Sequence, residues 1–323
     1  MVNLQAIHTH NATLKSLTSG LVAVFVGGTS GIALSTALAL TRHTPSPTIY
    51  LIGHSQTAAD AAIASMKAIN SSAQPIFLQS DISLLKNVDS VCAEITAREN
   101  KVNLLFMTPG YMTLKGREET VEGLDRKFVL HYYARMRFIT NLLPLLNTAA
   151  QDSSTNSSAG LSRVVSVLDP MVSVRAGGSG TLDFLDHSLK HSFSLTKRLA
   201  RQSNGPHTSF VHAYPSGVAT GVLRELPAGR ALSAVLTPLH LFAATSGRYP
   251  PKSEREGGDM ERDIAIGSDG TKGSGCYWLN WDGEVFPPNR KLERTRGQSA
   301  AEQVMQHTEE VFKQVCEEGK PYP

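Results

Sequence analysis

Short apolar runs alternate with segments of helical periodicity along the first half of the chain. The strand-like runs are 21–27, 48–52, 75–79 and 102–107. The helical patterns are 30–42, 57–70, 84–99 and 120–147. Regular alternation of this kind predicts right-handed βαβ units, and therefore a parallel sheet.

The same alternation resumes after a Ser/Asn/Gly-rich loop at 150–161. The further predicted elements are strands 162–168 and 208–214 with a helix at 182–203 between them, strand 275–280 and a C-terminal helix at 298–317. We therefore expect an α/β fold, with residues 1–323 forming a single Rossmann-like domain. It would be a doubly wound parallel sheet of about seven strands with helices on both faces. Residues 1–20 would be an N-terminal extension and 221–273 an excursion that closes over a substrate.

The first predicted strand runs into a glycine-rich turn, LVAVFVGGTSGIA at 21–33. Gly27 and Gly28 permit a sharp turn, and Thr29 and Ser30 are residue types that cap helices. Gly31 leaves room for a phosphate at the N-terminal amides of the next helix. The turn predicts pyrophosphate binding; the alternative is a glycine-rich turn of some other α/β protein.

This turn resembles the TGxxxGxG turn of the short-chain dehydrogenase/reductase (SDR) family. The family positions are Val26, Gly27, Gly31 and Ala33, so two of the four match. Further segments resemble a fungal SDR subgroup of tailoring enzymes in secondary metabolism. They are NLLPLL (141–146), SFVHAYP (209–215), ATSGRYPP (244–251), GSGCYWLNWDGE (273–284) and HTEEVF (307–312).

The resemblance implies a groove for NADP(H). Its residues would be Gly27, Gly28, Thr29, Ser30, Gly31, Ile32, His54, Asp81, Ile82, Pro109, Gly110 and Thr220. The second strand ends without the carboxylate typical of NAD binding, and His54 stands where many NADP-preferring members have arginine. His54 is otherwise an exposed loop histidine, and Asp81 is otherwise the N-cap of the following helix.

The family's Ser/Tyr/Lys catalytic set is missing. No tyrosine occurs between Tyr133 and Tyr214, so no alignment restores the proton donor. Asp169 occupies the serine position, and His131 the position of the family's asparagine. A carboxyl group beside an apolar substrate has a raised pKa, so Asp169 is a candidate acid and His131 its partner. Alternatively, Asp169 forms an Asx turn before Pro170 and His131 is an ordinary helix histidine.

Three functions follow from these features. The first is a redox-neutral enzyme that performs cyclisation, isomerisation or dehydration on a polycyclic or polyketide-like substrate. Its precedent is a fungal SDR-like branch that has a Pro-Gly turn, as at Pro109-Gly110, and catalyses cycloaddition. The second is an NADPH-dependent ketone or imine reductase with a different proton donor. The third is a non-catalytic nucleotide-binding protein.

Composition and charge argue against some classes of binding partner. A formal charge of +3 is too small to favour nucleic acid, and no apolar run is long enough to span a membrane. The isolated cysteines predict free thiols in a reducing, cytoplasmic compartment, and His187 with His191 lacks a third metal ligand. We expect a small-molecule substrate and no metal. The resemblance implies a homodimer paired through helices 120–147 and 182–203, but the second helix is unusual here, so the sequence leaves the oligomeric state open.

Overall fold

The computed structural model describes residues 20–111, 118–151, 162–168, 209–213, 275–279 and 298–323. The strands are β1 (Val22–Val26), β2 (Thr48–Gly53), β3 (Gln74–Gln79), β4 (Leu104–Met107), β5 (Arg163–Val167), β6 (Ser209–Ala213) and β7 (Gly275–Leu279). They form a seven-stranded sheet in the order β3-β2-β1-β4-β5-β6-β7. Every adjacent pair is parallel. The doubly wound α/β prediction is confirmed.

The helices are α1 (Gly31–His43), α2 (Gln56–Ile69), α3 (Leu85–Arg98), α4 and α5. Helix α4 comprises a short turn (Arg126–Phe128), a π-helical turn (Val129–Tyr133) and a long segment (Ala134–Gln151). Helix α5 spans Gln298–Phe312 and continues into a second π-helical turn, Lys313–Glu317. The predicted helix 182–203 and the excursion 221–273 lie outside the described residues.

Side chains of β1 alternate between two apolar cores. Val22, Val24 and Val26 pack into the core shared with α3, α4 and α5. Ala23 and Phe25 pack into the core shared with α1 and α2. A parallel strand is covered on both faces, so both sets are apolar and the run shows no polar alternation. Helices therefore cover both faces of the sheet, as predicted.

Helix α4 begins later than its hydrophobic pattern indicates. The prediction started at residue 120, whereas the helix starts at Arg126. The Asp125 carboxylate accepts a hydrogen bond from the Phe128 amide, and Glu119 forms an isolated antiparallel bridge with Asp125. This N-cap ends a small loop, and the first residues of the predicted helix belong to that loop.

Helix α5 packs on the outer side of α4 through hydrogen-bonded aromatic residues. Tyr132 Oη lies 2.8 Å from Thr308 Oγ1, and Tyr133 Oη lies 2.9 Å from His307 Nε2. The Arg137 guanidinium stacks over the Phe312 ring at 5.1 Å from its centroid. The C-terminal helix is therefore joined to the π-helical turn by two side-chain hydrogen bonds.

Candidate active site at the carboxyl edge of the sheet

The turn between β1 and α1 has the backbone that its glycines predict. Gly27 has a φ of 81° and Gly31 a φ of 59°, both in the left-handed region. A Cβ on Gly27 would lie 2.8 Å from the Thr108 hydroxyl, so the turn touches the end of β4. The Gly27 and Gly28 amides both donate to the Ile52 carbonyl, at 2.9 and 3.2 Å. Glycine is therefore required here both by backbone conformation and by a close approach.

Helix α1 begins at this turn without a side-chain cap. Ser30 is the N-cap residue, but its side chain makes no capping hydrogen bond. The first turn of α1 contains no acidic residue, and Ile32 is half-buried. Thr29 does not cap the helix in the described structure; its hydroxyl packs against Gly53, whose Cβ would lie 3.0 Å away. These features suit an anion at the helix N-terminus.

The ends of β2 and β3 lie beside this turn. His54 is exposed, and its carbonyl accepts a hydrogen bond from Gln79 Nε2 at 3.0 Å. Asp81 Oδ1 accepts from the Ser83 amide at 2.9 Å and from the Ser83 hydroxyl at 2.7 Å, which forms an Asx turn. Ile82 is buried. The carboxylate of Asp81 thus orders the loop that follows β3.

Asp81 is not the N-cap of α3, so that alternative was wrong. The N-cap is Leu84, which has no capping side chain. Glu122 supplies the cap instead: its carboxylate accepts from the Leu85 amide at 2.6 Å and from the Lys86 amide at 3.0 Å. Glu122 is buried, and a carboxylate at a helix N-terminus is stabilised by the helix dipole.

The segment that follows β4 lies against the candidate acid-base residue His131. The Thr108 amide donates to the Val26 carbonyl at 3.0 Å, Pro109 is buried, and Gly110 has a φ of 156°. The His131 ring lies directly over Gly110, because a Cβ there would be 2.6 Å from Nε2. The structure therefore brings Gly110 and His131, both predicted site residues, into contact.

His131 lies in the π-helical turn of α4 and is half-buried. Burial, and after it the nearby cations Arg135 and Lys127, lowers the pKa of its imidazole from 6.5 to about 4. Asp125 acts in the opposite direction. The ring is therefore neutral near pH 7, in a type of helical distortion that frequently occurs at functional sites.

Sequence reasoning missed Arg135, which lies one turn after His131. Its guanidinium is buried and donates to oxygens at the ends of two strands. The partners are the Met107, Pro109 and Val167 carbonyls, the Ser166 hydroxyl and, within α4, the Leu130 carbonyl. An arginine inside an apolar helix pattern normally indicates a surface position, so only the position of α4 against the sheet reveals this contact.

The five tyrosines whose side chains the structure describes do not provide a reactive phenol. Burial raises the pKa of Tyr111 to about 12, and its hydroxyl donates to Glu118 at 3.0 Å. Burial likewise raises the pKa of Tyr50, Tyr132, Tyr133 and Tyr322. A catalytic phenol needs the opposite shift.

Two predicted site residues fall outside the described structure. Asp169 follows Leu168, the last described residue after β5, and Thr220 follows β6 within an undescribed range. Among the described helices, none is long and apolar enough to cross a membrane. In the same part of the chain, no group of three His, Cys, Asp or Glu side chains is arranged to hold a metal ion.

The parallel sheet, the glycine turn and the helix N-terminus define a dinucleotide-binding type of α/β protein. No protein-family model matches the chain. Over 97% of this chain and 99% of the relative, it is 36% identical to "Oxidoreductase AN1596" of Emericella nidulans. It is 32% identical to "Oxidoreductase andH" of Emericella variicolor over 99% and 100% of the two chains. It is 26% identical to the short-chain dehydrogenase/reductase SAT2 of Stachybotrys chartarum over 95% and 96%.

Solved structures show the same fold. The MalC reductase/Diels-Alderase of Malbranchea aurantiaca superposes with a TM-score of 0.57 at 16% identity, covering 85% of this chain and 98% of that one. YwfH, an NADPH-dependent reductase of bacilysin biosynthesis, superposes with a TM-score of 0.58 at 14% identity, covering 84% and 100%. The chain belongs to the short-chain dehydrogenase/reductase family.

Proposed function

We propose that this protein is a tailoring enzyme of fungal secondary metabolism that performs redox-neutral acid-base chemistry on a small polycyclic or polyketide-like substrate. The observation that carries the proposal is the missing phenol. No tyrosine occurs between Tyr133 and Tyr214. Burial raises the pKa of Tyr50, Tyr111, Tyr132, Tyr133 and Tyr322. A family member without this group lacks the usual proton donor for ketone reduction.

His131 and Asp169 would carry the proton transfer in its place. A neutral imidazole accepts a proton, and the pKa of about 4 keeps His131 in that form. Asp169, if protonated beside an apolar substrate, donates one. Cyclisation, isomerisation and dehydration need no net electron transfer. The proton given by the carboxyl group is balanced by the one that the imidazole removes, so the pair suits those reactions.

NADP(H) fits the first turn. The left-handed glycines and the N-terminus of α1, which the Ser30 side chain leaves uncapped, would hold its pyrophosphate. Exposed His54 would lie near the ribose phosphate, with Asp81 and Ile82 beside the adenine. When bound, NADP(H) supplies hydride chemistry. In the proposed reaction it would instead complete the wall of the substrate site, as a bound molecule that does not turn over.

A second function, NADPH-dependent reduction of a ketone or imine, is favoured by a separate observation. The relatives that match nearly the whole chain carry the name oxidoreductase. MalC, which has the same fold, is named both a reductase and a Diels-Alderase, so both activities are ascribed to one protein of this fold. In that case Asp169 would protonate the reduced substrate.

One experiment separates these functions. The purified protein is incubated with NADPH and a panel of polycyclic ketones, imines and dienes, while absorbance at the reduced-nicotinamide band and product mass are followed together. Conversion at constant mass, or with loss of water, without NADPH oxidation supports the redox-neutral enzyme; stoichiometric NADPH oxidation overturns it. Asp169→Asn should abolish conversion, whereas Asp60→Asn, an exposed change on α2, should not.

A further inference from the structure

Arg135 makes an unusually complete set of hydrogen bonds for a buried cation. Nη1 donates to the Met107 carbonyl at 3.3 Å, and Nη2 donates to the Pro109 carbonyl at 2.5 Å, both at the end of β4. Nη1 also donates to the Ser166 hydroxyl at 2.6 Å and to the Val167 carbonyl at 2.9 Å, in β5. One side chain thereby joins the carboxyl ends of two neighbouring strands.

The remaining guanidinium donor, Nε, bonds within helix α4 itself. Nε donates to the Leu130 carbonyl at 3.3 Å, inside the π-helical turn that holds His131. Only the planar five-donor fork of arginine reaches two strands and a helix at once; lysine has three donors on one atom. Arginine is therefore the residue type that can join the ends of β4 and β5 to helix α4.

The described partners of this cation are all neutral oxygens. Arg135 is only 4% exposed, and none of its described partners is a carboxylate. Burial lowers its pKa to about 9, so it is still charged at neutral pH. Burying a charge costs several kcal/mol in order of magnitude unless hydrogen bonds compensate it. An apolar residue would leave the strand-end carbonyls without these donors, which explains why a charge is retained.

The segments that Arg135 joins are the ones that carry the proposed acid-base pair. Pro109 precedes Gly110, on which the His131 ring rests. Val167 precedes Asp169 by two residues. We propose that Arg135 is a positioning residue that locks the ends of β4 and β5 to α4, and so fixes His131 and the strand end that continues to Asp169. This role deepens the proposed function and rests on it for its catalytic meaning.

The test measures the stability of the two strand ends and the pKa of His131, so it does not require a known substrate. Amide hydrogen exchange is measured on the full chain for the wild type, Arg135→Met, Arg135→Lys and Arg137→Met, together with an NMR pH titration of His131. Arg137 is the matched control, because it faces away toward Asp89 and Phe312. Circular dichroism selects folded variants, and Arg135→Lys serves if Arg135→Met does not fold.

We expect Arg135→Met to speed amide exchange at residues 108, 110, 111 and 166–168 by about tenfold or more, because the cross-strand bonds are lost. The His131 pKa should rise, since one of the two nearby cations is removed while Lys127 and Asp125 remain. Arg135→Lys should keep the His131 pKa low but still speed exchange. Arg137→Met should change neither quantity.

Unchanged exchange at both strand ends in a folded Arg135→Met or Arg135→Lys variant would overturn the proposal. Equal effects of the Arg135 and Arg137 substitutions on exchange and on the His131 titration would also overturn it, because they would indicate only general loosening. If the wild type oxidises NADPH stoichiometrically, the proposed redox-neutral function fails. The exchange and titration results would still decide the role of Arg135.

Discussion

The His131 imidazole rests on the α-carbon of Gly110. A Cβ at residue 110 would lie 2.6 Å from Nε2 and 2.8 Å from Cδ2 of the ring. The two residues come from different elements, the end of β4 and the π-helical turn of α4. Glycine at position 110 is therefore the condition for this placement of the ring, and the pair behaves as one unit.

Gly110→Ala should displace the imidazole. We expect a loss of about 1–3 kcal/mol in the free energy of unfolding, which is typical of overpacking. Turnover, once a substrate is in hand, should fall by about tenfold or more. Urea unfolding and kinetics measure the two effects.

The control for this prediction is the double variant Gly110→Ala/His131→Ala, which removes the ring that the new methyl would meet. The double variant should lose less unfolding free energy than the sum of the losses in the two single variants, Gly110→Ala and His131→Ala. Gly20→Ala tests positive φ alone, since Gly20 has a φ of 84° and nothing within 4 Å of its Cβ position. Strict additivity in the double variant would contradict the contact.

The depressed pKa of His131 predicts acid sensitivity. The folded value of about 4 lies below the ordinary 6.5, so the unfolded chain takes up the proton first as pH falls. Stability from the neutral ring is complete above the ordinary value and is lost as pH falls toward about 4, by up to about 3 kcal/mol.

Chemical unfolding at several pH values between about 7.5 and about 4.5 measures this loss. The difference in unfolding free energy between the wild type and His131→Asn should shift in favour of the variant as pH falls. His54→Asn, a change at an exposed histidine, is the control for loss of a histidine as such. Parallel pH profiles of the wild type and His131→Asn would show that the ring titrates normally.

Glu122 caps α3 from a distant loop. Glu122→Ala should remove the acceptor for the Leu85 and Lys86 amides and destabilise the protein by about 1–2 kcal/mol. Thermal unfolding measures the loss. Glu94→Ala is the control, because its ion pair with Arg98 is exposed and should change stability by about 0.5 kcal/mol or less. A smaller effect at Glu122 than at Glu94 would contradict the cap.

We expect the residue at position 54 to set the preference between NADPH and NADH. His54→Asp should place a carboxylate near the ribose, where it favours a 2′-hydroxyl and repels a 2′-phosphate. We expect NADPH binding to weaken by about tenfold, and NADH binding to be retained or improved. Titration of intrinsic fluorescence with each nucleotide measures this. His54→Asn should weaken NADPH binding less than the aspartate does; equal loss of both nucleotides in His54→Asp would contradict the assignment.

The sequence was sufficient for features that are local. The β1 run and the glycine turn specify the first strand, the turn and the start of α1 within a few residues, because backbone conformation and burial act there on adjacent positions. The parallel direction of the strands followed from the βαβ rule, whereas their order in the sheet comes from the structure. His131 was singled out because it occupies the position of the family's asparagine, and the structure places its ring against Gly110.

Contacts across the sheet edge were not predictable from pattern. Glu122 reaches the N-terminus of α3 from a loop that was predicted to be helical, and Arg135 reads as a charged residue within a helix until β5 is placed beside it. The contacts of Glu122 and Arg135 depend on how helices and strands pack in space, and not on residues next to them in the sequence. The roles of Asp169 and Thr220 are still predictions, since both lie outside the described residues.

The π-helical turn in α4 holds one residue more than a regular helix would. Removing a single residue from Val129–Tyr133 would rotate the preceding side chains by about 100° relative to Arg135, because an α-helix has about 3.6 residues per turn. A different side chain would then come to rest on Gly110, while the strand ends kept their tie to the helix. A one-codon deletion thus offers an evolving lineage a route to new chemistry that leaves the sheet untouched.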